Sequence, residues 1–304
     1  MNRMKSRRTT ISRRAVVSSI LLAGIAATLT ISGCNSYGPK HHDQRLMNVP
    51  HLAGTPLSIQ NANGSVEAIQ INRSDVAIVV DLYGRDLERL GFATVHADRQ
   101  GDNTLRVWVE WPGGVRKNGE GSYIAMEIPD ASGVEIHSSN GGVTIAGLSG
   151  HADLRSGNGS IRVDRHDGSV FADTSNGKVH AEHVSGEIEM YTSNGGVIVT
   201  DAFGPIRTET SNGNIFVSTM DGNEGPVRLW TSNGRVDLEL GDGFEGVLKC
   251  QTSNGKISVV DLSGASLIQS TKNNVELQIG DSTEVSAVRT SNGSVRVRGT
   301  HTEP

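Results

Sequence analysis

One short motif governs what this chain can become. Ser-Asn-Gly, usually preceded by Thr or Ser, places its Asn at Asn140, Asn158, Asn176, Asn194, Asn212, Asn233, Asn254 and Asn292; Gly stands in the Ser slot only at Asn158. The intervals are 18, 18, 18, 18, 21, 21 and 38 residues. A fixed period of about 20 residues marks a stacked repeat architecture, in which no single unit buries its own apolar face. The long last interval holds a degenerate copy, STKNNVELQ (270–278), with Lys272 in the Asn slot and Asn273 in the Gly slot. An early copy, LSIQNANGSVEA, spans 57–68.

The columns of the repeat show where side chains point. Three residues after each Asn stand Val143, Ile161, Val179, Val197, Ile215, Val236, Ile257, Val275 and Val295, and two further on the residue is again apolar. That alternation predicts a strand after each bend. Four residues before the Asn comes a second, mostly apolar column: Ile136, Leu154, Ala172, Met190, Thr208, Leu229, Cys250, Ile268 and Val288. The residue two before the Asn is always Ser or Thr. A second glycine recurs ten residues after the Asn, as at Gly150, Gly168, Gly186 and Gly204, and marks the return bend.

Each unit therefore reads as strand, Asn-Gly bend, strand, Gly bend. The expected fold is all-β: a single-stranded parallel β-helix, a right-handed solenoid of about nine 18–21-residue rungs, roughly 43 Å long at ~4.8 Å per rung. Asn-Gly is also a favoured hairpin turn. Identical columns in every unit favour in-register parallel stacking instead. The Asn slots form an expected ladder of side-chain amides, with the following Gly in a left-handed conformation.

The flanking regions read differently. Residues 1–33 form a lipoprotein signal peptide: a basic start with Arg3, Lys5, Arg7, Arg8, Arg13 and Arg14, an apolar run, and ISGC, which resembles a lipobox. Cys34 is the expected lipidated residue, and SRRAVV (12–17) also resembles a twin-arginine export motif. Residues 34–50 are polar and aperiodic and read as a flexible tether. Residues 51–133 hold the first rung and an N-terminal β cap, with VAIVVDLYG, LRVWVEW and YIAMEIP as strands and GRDLERLGF as a short helix. The repeat domain spans 134–299, and 300–304 is a tail. The C-terminal rung is expected to be an open end, available for self-association or a partner.

Charge and composition exclude several functions. The formal charge is −5, and about −11 once the six basic residues of the signal are gone. An acidic exported domain does not suit nucleic acid. Two cysteines exclude a disulfide framework. The turns lack the regular carboxylates of calcium-binding repeats, so no metal or other cofactor is expected. A repeated Ser without a recurring base is no nucleophile. The candidate binding face is the outward column three before the Asn with its neighbour five before: Phe171, Tyr191 and Trp230 offer flat surfaces, flanked by Glu189 and Glu209. Asp173, Glu189 and Glu209 on one face also admit a carbohydrate-active β-helix enzyme. An envelope-stress or signalling component that binds a protein partner is the other alternative.

LSIQNANGSVEAI, MEIPDASGVEIHSSNGGVTIAGLSG (126–150) and the later TSNG copies resemble the bacterial "putative adhesin" family of β-strand repeat domains, over about residues 50–299. The resemblance implies an exported, envelope-associated protein without established catalytic residues. It is then a non-catalytic, adhesin-like binding or scaffold lipoprotein, attached to a membrane through the lipid on Cys34, with an envelope protein or glycan as partner.

Overall fold

The computed structural model describes residues 40–223 and 225–300. Cys34 and the signal segment lie outside the described residues. The described chain is all-β apart from one short helix and a 3-10 turn. It forms two large, mostly parallel sheets of 12 and 13 strands. The strand after each Asn enters the first sheet and the strand before it enters the second. Pairing is column on column: Val179 faces Val197 in the first sheet, and Ile188 faces Ile206 in the second.

The alternation fixes the core. Val143, Ile161, Val179, Val197, Ile215, Val236 and Val295 are all buried, and so are Leu154, Met190, Leu229, Cys250 and Val288 from the other sheet. Burial pushes the Cys250 thiol up to about 12, as befits a small core residue.

Three letters of Thr-Ser-Asn-Gly have distinct tasks. The Asn amides form a continuous ladder, each bonded to the next at 2.7–3.0 Å. The hydroxyl two residues earlier turns inward and donates to the Gly carbonyl of the adjacent repeat, as Thr192 does to Gly177 at 2.9 Å. The Gly departs from expectation. None of the eight glycines after these Asn residues takes a positive φ. They are glycine because the repeats touch there: a Cβ on Gly195 would lie 1.9 Å from the Gly177 carbonyl oxygen.

The ends of the stack depart further. The tether expected over 34–50 is a strand from His41 to Pro50, paired antiparallel with Asp75–Gly84. Its polarity has a simple cause: it is an edge strand, and only Met47 and Val49 pack against the core. The cap strands lengthen the sheets. Gly121–Ile128 pairs with the first-repeat strand Val66–Gln70, and Leu105–Glu110 pairs with Leu57–Asn61. The expected helix forms over Leu87–Phe92, with Asp86 as its N-cap and Leu90 buried.

At the C-terminal end, spatial order parts from chain order. The degenerate copy is not a parallel layer. Ala265–Ser270 and Asn274–Ile279 make an antiparallel hairpin, and its second strand pairs antiparallel with Gly246–Asn254. Ile268, expected inside, is 53% exposed. The Asn292 repeat then inserts between its predecessors: Val285–Asn292 pairs with Val227–Asn233 on one side and Gly246–Asn254 on the other. Val295–Gly299 is likewise flanked by Val236–Leu240 and Ile257–Val260. The C-terminal repeat is thus enclosed, not open. The free edges at that end belong to Ile257–Val260 and Ala265–Ser270. The ladder order becomes Asn212, Asn233, Asn292, Asn254.

Candidate binding face

Residues three before each Asn project from the outer face of the second sheet, because side chains alternate along a strand and parallel pairing holds the register. The pairings join His137, Arg155, Asp173, Tyr191, Glu209 and Trp230 into one column. Beyond Trp230 comes Arg289 and then Gln251, because of the inserted repeat. At the other end the column continues through Gln60 to Trp108. Trp108 was legible only as part of a strand. Its place in this column follows from the parallel pairing of the cap, which no repeat motif announces.

The structure brings the expected residues together. Tyr191 donates its hydroxyl to the Glu189 carboxylate at 2.9 Å. Burial first, and then that carboxylate, raise the phenol above its ordinary range. Phe171, from the neighbouring column, lies 5.7 Å from the Tyr191 ring, and the Arg155 guanidinium sits 5.0 Å over it. Arg155 is itself held by Asp153 at 2.8 and 3.0 Å. Glu209 accepts from Arg207. Trp230 is the most open of the aromatics on this face, 51% exposed.

Shallow hollows follow the column. One of about 770 Å³ lies over Trp108, His137, Arg155 and Asp173. A small one of about 160 Å³ lies between Asp173, Tyr191, Glu209 and Trp230. A third, about 500 Å³, surrounds Trp230, Arg228 and Arg289. Of the three carboxylates considered for catalysis, Asp173 and Glu209 share the small hollow on either side of Tyr191. Glu189 stands in the neighbouring column, engaged by the Tyr191 hydroxyl. The face can therefore grip a flat or hydroxyl-rich partner along several strands. It offers stacking surfaces and alternating charges.

Two further groupings escaped the sequence reading. Arg165, His183, Asp201 and Asp261 all have a positive φ, although none is glycine. They fall seven residues after their Asn, as kinks near the C-terminal ends of the first sheet's strands. Among the described residues, Glu182, His183 and Asp201 are the one set of donors close enough to share a cation. The imidazole of His183 divides them: Nδ1 lies 3.9 Å from Glu182 and 3.9 Å from Asp164, while Nε2 lies 3.5 Å from Asp201. Arg165 meets Asp164 at 2.7 Å. The set works as a surface charge network. His166 is buried, with Nε2 2.8 Å from the Gly150 carbonyl and Nδ1 without a partner. Burial lowers its pKa.

No family model matches the chain. No curated protein matches it either. Solved structures similar to it include several putative adhesins, the family that the sequence resembles. A putative adhesin from Bacteroides fragilis shares 10% identity, with 84% of this chain and 97% of that chain covered and a TM-score of 0.43. A putative cell adhesion protein from Clostridium sporogenes shares 10% identity over 86% of this chain and 100% of that one, with a TM-score of 0.28. A putative lipid binding protein from Parabacteroides distasonis shares 11% identity over 86% and 97%, also at 0.28. At that identity and those scores no residue role transfers to this chain. Among the described residues, no helix is long and apolar enough to cross a membrane.

Proposed function

We propose that this chain is an exported lipoprotein, anchored through Cys34, that binds an envelope or surface partner without catalysis, as an adhesin does. The two sheets are taken as faces of one continuous right-handed β-helix that holds the binding column rigid. One observation carries this reading: Tyr191 and Trp230, two strands and so roughly 10 Å apart, stand in register on the outer face of the second sheet. Aromatic side chains held outward on a rigid sheet give contact area at low entropic cost. Capture of envelope proteins and glycans by the full chain tests it. The Tyr191→Ala, Trp230→Ala double variant loses the captured partner; retention at wild-type strength overturns the assignment of the face. Cys34→Ala releases the protein from membranes, and continued membrane association refutes the anchor.

A second reading, glycan cleavage, is favoured by Asp173 and Glu209 sharing one hollow. It requires new reducing ends on incubation with oligosaccharides, abolished by Asp173→Asn. Binding without such release is the outcome expected here.

A further inference from the structure

The basin at Trp230 differs from the rest of the face in its electrostatics. Elsewhere on that face the arginines are engaged: Arg155 by Asp153, Arg207 by Glu209, Arg106 by Gln60. Arg228 and Arg289 have no hydrogen-bond or ion-pair partner among the described residues, and both are exposed. Arg228 stands two residues before Trp230 on the same face of the same strand. Arg289 stands beside Trp230 on the next strand. Arg228 is moreover paired in register with Arg207. Like charges directly opposite each other destabilise a sheet. The chain keeps this arrangement although its formal charge is −5. It also keeps the flat indole of Trp230 half in water, in one hollow with both arginines.

Each of these features suits one kind of ligand. An indole face packs against the C–H face of a pyranose ring. A free guanidinium grips a carboxylate or sulfate through paired N–H donors. Gln251, Ser253 and Ser291 on the rim offer polar partners for hydroxyl groups. We infer that the Trp230 basin binds an acidic saccharide, with a pyranose ring on Trp230 and its anionic substituents on Arg228 and Arg289. This rests on the reading of the outer face as the binding surface and names its ligand class. A single-stranded nucleic acid also stacks and carries charge, but its continuous phosphates would run into Glu209 and Asp173 along the column. A saccharide with separated anionic groups avoids that clash.

The test uses the full chain in detergent and follows tryptophan fluorescence during titration. The probes are hexagalacturonate for carboxylates, a heparin hexasaccharide for sulfates, cellohexaose as the neutral control, and oligo-dT. Hexagalacturonate or the heparin hexasaccharide shifts the emission, cellohexaose does not, and the stronger of the two acidic probes tells carboxylate from sulfate. Arg228→Gln and Arg289→Gln each weaken that binding about tenfold without lowering the melting midpoint, and Arg228→Gln raises it slightly by removing the like-charge pair with Arg207. Added salt weakens the wild-type affinity, which reads the charge contribution without any variant. Equal binding of cellohexaose, indifferent to both arginine variants and to salt, overturns the acidic specificity and leaves the face assignment standing. Tighter binding of oligo-dT than of either acidic saccharide overturns the ligand class. So does a protein partner lost in the Tyr191, Trp230 double variant while neither acidic saccharide binds.

Discussion

Between Ser132 and Leu240 the chain and the stack run in the same order. From Gly246 onward they part, and the last repeat slips in beside Asn233 ahead of its predecessor. The same motif operates in both regions: the Asn ladder, the inward hydroxyl and the close glycine contact continue without a break through the rearranged part. The motif therefore decides which columns meet and leaves open which repeat meets which. Every copy presents the same bonding edge, so order must come from what is not repeated. The antiparallel hairpin Ala265–Ile279 supplies it by covering the far edge of Gly246–Asn254.

The largest expected effect tests this difference directly. A chain ending at Gly280 lacks the inserted repeat and leaves the Asn233 and Asn254 repeats without their shared neighbour. Loss of the buried Val288, Val295 and Val297, at about 1.5–3 kcal/mol each, removes several kcal/mol. Urea denaturation and limited proteolysis should show a lowered midpoint and cleavage within 246–279. An unchanged midpoint would return the last repeat to the end of the stack.

Next comes the close contact shared by both regions. Gly195→Ala forces a Cβ against the Gly177 carbonyl and costs about 3 kcal/mol, as overpacking does. Gly101→Ala, with open space around it, changes stability by less than about 0.5 kcal/mol. Equal midpoints for the two would show that the repeats do not touch at the bend.

A smaller effect belongs to the ladder. Asn194→Ala breaks two exposed bonds, to Asn176 and from Asn212, and costs about 1 kcal/mol. Asn254 ends the ladder with one bond to Asn292 and should cost about half as much. Equal losses would place another Asn beyond it.

The mildest perturbation is pH. His166 is held neutral by burial, so its folded pKa lies below the unfolded value of about 6.5. Its contribution is present above that value and is lost as pH falls from there through the lower folded pKa, because in that window the unfolded chain takes up the proton and the folded chain does not. Asp167 opposes this shift and His151 adds to it. Stability measured from pH 7.5 to 5.5 should fall less in His166→Leu, which matches the Leu148 and Val184 of adjacent repeats, than in the wild type.

What was legible in the sequence follows the same division. The core columns were plain, because period-two alternation is a local property that each strand carries alone. The ladder was plain because Asn recurs. The reason for the neighbouring glycine was not, since a left-handed turn and a crowded carbonyl ask for the same residue. The hairpin at Thr271–Asn274 was read as a worn copy, because Asn-Asn serves a tight turn as well as a repeat bend. The strand His41–Pro50 looked like a linker, because an edge strand paired on one side needs little apolar sequence, and here Met47 and Val49 are the side chains that pack against the core. On the outer face of the second sheet, Tyr191 and Trp230 stand in the column expected for them, because that column is part of the repeat. That Arg289 rather than Gln251 adjoins Trp230 depended on strand order, which no column records.

The enclosed C-terminal repeat also sets a schedule. A chain that emerges amino-terminus first can add one layer after another as far as Leu240, each new strand finding its template already waiting. The next segment has a template too, and it is the wrong one: the edge of the Asn233 repeat matches the Asn254 repeat in Asn, Thr and Gly. Until the last twenty or so residues arrive, the native neighbour does not exist. The segment from Gly246 onward can therefore reach its final arrangement only once Val285–Gly299 is available, and a premature docking must be undone before that segment can enter.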